Sequence, residues 1–162
     1  MNEPPSVRTA PEAAQSSLPG ARSALYVVHP PELTGQVIDL IAGLTIGRES
    51  SLAPGEIPTS APLAVLPHPT VSRRHCLVRD AFGVPVLEDL GSSNGTRVDA
   101  LRLTILGVLL PQSVVRIGSV LAVVNERPVQ GADWTAALPA IAPAVVRARD
   151  ALRRAGTGSL RR

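Results

Sequence analysis

Between Ala24 and Glu126 the sequence is broken into short aliphatic and β-branched runs, ALYVVH, GQVIDL, LTIG, HCLVRD, VPVLEDL, TRV, VVRIG and VLAVVNE, each cut off by turn-forming residues. Runs of this length and composition suit strands and are too short for helices, which need ten or more residues to settle. HPPELTG and IAG separate the first three runs, a further strand is expected at Leu63 to Leu66, and AFG between HCLVRD and VPVLEDL reads as a hairpin turn. LRLTILGVLL supplies more strand sequence before VVRIG. Strands at intervals of roughly 8 to 12 residues predict an all-β sandwich. The segment 49–62, ESSLAPGEIPTSAP, is expected to be a long loop, because its prolines and glycine interrupt any ladder.

The 162 residues leave room for one ordinary domain with tails. Residues 1–23, rich in Pro, Ser and Ala, carry too little patterned apolar surface to offset the entropy of ordering and are expected to form a disordered leader. The folded domain is expected over 24–127. Residues 128–162 form an Ala-, Pro- and Arg-rich tail, in which Pro143 is placed to open a short helix running to Arg154.

All sixteen basic residues are Arg, so the pI of 10.4 accompanies a net charge of only +3. That balance does not imply a nucleic-acid partner, and with only Trp134, Tyr26 and Phe82 as aromatics there is no stacking platform for single strands. The exclusive use of Arg with abundant Ala, Pro and Gly matches the coding bias of a GC-rich bacterial genome. Cys76 is the single cysteine, which excludes an internal disulfide and suits a reducing cytoplasm. Apolar runs such as 104–111 are too short to span a bilayer, and the N-terminal residues do not read as a signal peptide.

Three short motifs carry the functional signal: Ile46-Gly47-Arg48 at a strand end, Thr70-Val71-Ser72-Arg73-Arg74-His75 entering a strand, and Asp89-Leu90-Gly91-Ser92-Ser93-Asn94-Gly95-Thr96 in a turn. In this order, over residues 24–126, they resemble the forkhead-associated (FHA) family, whose pattern is Gly-Arg, Ser-x-x-His and Asn-Gly. The resemblance implies a sandwich of about eleven short strands whose loops meet at one end and bind phosphothreonine in a partner protein. An upstream Ser/Thr protein kinase is then implied. It also implies that Gly47, His75 and Gly95 support the site, His75 by bonding backbone behind the loop. Longer spacing from Arg48 to Ser72, His68 in the approach to Ser72, Asp99-Ala100 after Thr96, and Gln112-Ser113 before the last strands depart from the family pattern.

The chemistry of a phosphate dianion suits these residue types. Arg48 offers a rigid fork of donors, Ser72 a hydroxyl with its backbone N–H, and Ser93 a second hydroxyl. Asn94 carries both donor and acceptor and fits the peptide backbone beside the phosphate. Arg73 is a further candidate for phosphate or peptide, while Thr70 and Arg97 are candidates for reading the residues after the phosphothreonine. Neither catalysis nor a cofactor is expected: Ser72 with His75 has no third member and no nucleophile elbow, and His29, His68, His75 and Cys76 match no metal-ligand spacing. The alternatives are a phosphate-independent interaction module, or the regulatory part of a bacterial transcription regulator.

Overall fold

The computed structural model describes residues 21–49, 61–128 and 134–157. Eleven strands follow in chain order: β1 (Ala21–His29), β2 (Val37–Asp39), β3 (Thr45–Gly47), β4 (Leu63–Val65), β5 (Cys76–Ala81) and β6 (Val84–Asp89). Then come β7 (Thr96–Val98), β8 (Leu101–Arg102), β9 (Leu106–Val108), β10 (Val114–Ile117) and β11 (Val120–Pro128), before the helix α1 (Trp134–Thr157). One sheet has the order β2-β1-β11-β10-β7-β8 and the other β4-β3-β5-β6-β9, and every pairing is antiparallel except β3 with β4. The fold is therefore the all-β sandwich expected from the run lengths. LRLTILGVLL divides between β8 and β9, one in each sheet, and so carries the chain across the sandwich edge.

The inner faces of both sheets enclose one core of Leu25, Val27, Ile46, Cys76, Val78, Leu87, Val115, Ile117 and Val124 with their neighbours. A second apolar layer lies on the outer face of the first sheet. There Ala24, Tyr26, Val28, Leu121 and Val123 are covered by Ile141, Ala144 and Ala148 of α1. Both faces of β1 and β11 are thus buried, which explains why ALYVV and VLAVV are continuous apolar runs rather than alternating ones.

Strand β1 begins at Ala21, three residues before the expected start, because Ala21, Arg22 and Ser23 pair with Pro128, Arg127 and Glu126. The expected leader otherwise lies outside the described residues, as do 50–60 of the expected loop. The expected helix at 143–154 is also corrected. It starts at Trp134 and runs through Pro139 and Pro143 to Thr157. Each internal proline removes one helical hydrogen bond, and both are exposed, four residues apart on one helix face; the opposite face gains the burial of Ile141, Ala144 and Ala148. Among the described residues no helix is long and apolar enough to cross a membrane.

Candidate functional site

At one end of the sandwich three connections meet: the end of β3 at 47–49, the segment 66–75 before β5, and the turn 90–95 between β6 and β7. Gly47 is what lets the first two approach. A Cβ on Gly47 would lie 1.8 Å from the Arg73 carbonyl oxygen, far inside contact distance. The close approach is sealed by the Arg48 N–H, which donates to Ser72 O at 3.0 Å, and by the His75 N–H, which donates to Ile46 O at 2.9 Å.

Ser72 then links to the third connection, since the Ser93 N–H donates to Ser72 Oγ at 3.1 Å. The Ser72 hydroxyl proton keeps its freedom to point elsewhere. One Asn94 side-chain N–H donates to Thr70 O at 2.8 Å, so Asn94 tethers the same two segments and keeps its Oδ1 and second N–H. The Arg48 side chain is partly exposed and its Nε donates to Glu49 Oε1 at 2.9 Å, which leaves the two terminal nitrogens of the fork. Arg73 is exposed and unpaired among the described residues.

His75 is fully buried beneath these loops. Its Nδ1 accepts the Ser72 N–H at 3.0 Å and must therefore be unprotonated, so Nε2 carries the hydrogen and donates to Gly95 O at 3.1 Å. One neutral imidazole thus ties Ser72 to the Asn-Gly turn. This corrects the expectation that the Ser72 N–H is available to phosphate: His75 occupies it. Gly95, at φ +77°, holds a left-handed conformation that a side chain would strain.

Asp89 is the anchor of the turn, a role the sequence reading did not assign. Its Oδ2 accepts the N–H groups of Gly91 and Ser92 at 3.0 and 2.9 Å, and its Oδ1 accepts the hydroxyls of Ser92 and Thr96, both at 2.6 Å. The Asp-x-x-Ser spacing at 89–92 was the available signal, since a short carboxylate caps backbone N–H groups two and three residues ahead. Thr70 is spent on the scaffold: its Oγ1 accepts the Ser119 N–H at 2.8 Å and bonds His68 Nδ1 at 2.8 Å. Arg97 is not brought to these loops; it points to the outer face and lines a cavity beside α1. Arg102, unremarked in the sequence, lays its guanidinium against Gly95, where a Cβ would lie 3.0 Å from its Cζ.

Residues 44–118, which contain all three motifs, match the family model of the FHA domain. The chain carries an FHA domain. No curated protein matches the chain in sequence. Among solved structures, an FHA domain from work on phosphothreonine-dependent FHA domain interactions is 29% identical, with a TM-score of 0.51, covering 66% of this chain and 98% of that one. The FHA domain of a Chlamydia trachomatis protein is 24% identical, with a TM-score of 0.51, covering 65% and 98%. Mycobacterium tuberculosis EmbR, solved with a low-affinity phosphopeptide, is 23% identical with a TM-score of 0.53, covering 70% of this chain but 26% of its own. These last two share the fold.

Titration of the FHA loops follows from this wiring. Burial lowers the His75 pKa from its ordinary 6.5, a shift that its bond to Gly95 and the Asp89 charge only partly oppose. Burial would raise Asp89, but the Ser92 and Thr96 hydroxyls, the Ser92 N–H and any charge on His75 outweigh it and hold the carboxyl below its ordinary 3.8. Burial, with the Asp89 charge second, pushes the Cys76 thiol far up, so it stays neutral and unreactive. A depressed His75 means that the unfolded chain binds a proton near pH 6.5 that the folded one refuses. Stability is therefore full above pH 6.5 and falls as the pH drops below it, with a second loss from Asp89 below pH 3.8. The urea midpoint is expected to decline from about pH 7 to about pH 5, and to decline less in His75→Asn. A flat midpoint over that window in the parent protein contradicts a buried neutral His75.

Proposed function

We propose that this FHA domain binds phosphothreonine in a partner protein, and so couples a Ser/Thr protein kinase to the assembly of a complex, without catalysis of its own. The observation that carries the reading is the convergence of three distant segments. Arg48 is bonded through its backbone to Ser72, Ser72 through its hydroxyl oxygen to Ser93, and Asn94 to Thr70. The Arg48 guanidinium, the Ser72 and Ser93 hydroxyls and the exposed Arg73, carried on these joined segments, receive a dianion by charge-assisted hydrogen bonds. Asn94 sets the register of the bound backbone. The 29% identity to a domain studied for phosphothreonine-dependent interactions supports the same assignment. A cytoplasmic location fits a kinase-dependent partner.

Two or three hydrogen bonds to a charged group, each worth about 1.5 to 3 kcal/mol, separate a phosphorylated peptide from its bare twin by at least about a hundredfold. Isothermal titration with a degenerate phosphothreonine peptide pool and its dephosphorylated counterpart is expected to show heat only for the first. Equal binding of both pools would instead mark a phosphate-independent interaction module.

A further inference from the structure

The outer face of the first sheet holds a cavity of about 470 Å³ between β7, β10, β11 and α1. Its volume lies within the roughly 300 to 1,000 Å³ of small-molecule sites. Its lining is apolar at Val114, Leu121 and Leu152 and basic at Arg97, Arg116 and Arg147, and the two kinds interleave: Val114 and Arg116 share one face of β10, and Arg116 lies directly across from Leu121. Arg97 pairs directly across the strands with Arg116 on one side and Arg102 on the other. Residues directly opposite share a face, and like charges there repel.

Among the described residues these three cations make no ion pair. Arg116 Nε is bonded to Gly118 O and Arg147 Nη2 to Gln112 O, both carbonyls, while Arg97 has no partner among the described residues. Asp99 is the one carboxylate among the described residues of the lining. Its oxygens are taken by the Val114 N–H and the Ser113 hydroxyl, and it makes no ion pair with the three arginines. Among the described lining residues, three guanidiniums outnumber one carboxylate and lie beside aliphatic side chains, which leaves a site of defined chemistry. We propose that this cavity binds a small amphiphilic anion, with a carboxylate or phosphate head on Arg97 and Arg116 and a short aliphatic body against Val114, Leu121 and Leu152. None of the lining residues belongs to the phosphothreonine loops, so the proposal is tested independently of them.

Decanoate titrated into the full chain, followed by nuclear magnetic resonance, is expected to shift amides of β7, β10 and α1. Decanol, with the same body and no charge, is expected to bind at least about tenfold more weakly, and Arg97→Gln and Arg116→Gln each to weaken decanoate about tenfold through loss of a charge-assisted bond. Relief of the cross-strand repulsion leaves either variant folded, with an unchanged or higher urea midpoint. Phosphatidylglycerol vesicles that compete with decanoate assign the head to a lipid; vesicles that do not compete assign it to a free amphiphile. Decanol binding as tightly as decanoate, decanoate binding unchanged in both variants, or shifts confined to other elements overturns the proposal.

Discussion

Replacing Arg48 with alanine is expected to erase the difference between phosphorylated and bare peptide, a loss of about a hundredfold or more in affinity for the phosphorylated one. Fold stability is expected to change by no more than about 0.5 kcal/mol. The two effects separate because the residue has two halves. Its backbone N–H holds Ser72 O and survives the substitution, whereas its side chain is partly exposed and, among the described residues, paired only with exposed Glu49, a contact that contributes little in water. Binding of the bare peptide should not move. Fluorescence anisotropy with the peptide pair, alongside urea denaturation, checks both halves; retained discrimination in a folded Arg48→Ala protein removes the guanidinium from the phosphate site.

The motifs were legible because the turn chemistry that builds them is local. Gly95 at positive φ, the tight turn at 91–95 and the hairpin at Phe82-Gly83, both residues at positive φ, all follow from residue type and short spacing. The all-strand pattern was legible for the same reason, since each run ends where a turn begins, whereas the number of about eleven strands came from the resemblance to the FHA family. What lay beyond the sequence was satisfaction at a distance. Whether the Ser72 N–H is free depends on the rotamer of an imidazole three residues later, and only the folded loop shows His75 Nδ1 accepting it. The helix is a second case. Pro139 and Pro143 argue locally for a break, but docking against Leu121, Val123 and Tyr26 supplies apolar burial that no local rule contains. The continuous runs of β1 and β11 did hold that information, as strands covered on both faces, and with α1 they specify one outer layer. Arg97 is the third case: alternation along β7 buries Thr96 and Val98 inward and turns Arg97 to the opposite face.

Gly47→Ala is expected to cost about 3 kcal/mol of stability and to abolish phosphopeptide binding with it. The added methyl would lie 1.8 Å from Arg73 O and 2.7 Å from Arg73 C, both backbone atoms with no rotamer to change. The segment carrying Ser72 must therefore move away as a unit. That movement stretches the Arg48 N–H to Ser72 O bond and carries the Ser72 hydroxyl from Ser93, so the donors no longer meet. Gly91→Ala is the matched control. Nothing lies within 4 Å of its Cβ, so it suffers only the backbone strain of φ +76°, about 1 to 2 kcal/mol, with the loops still in contact. Urea denaturation and phosphopeptide titration of both variants decide the matter: if Gly47→Ala proves no more costly than Gly91→Ala and still binds, the site does not depend on the close approach of the loops at 47 and 73.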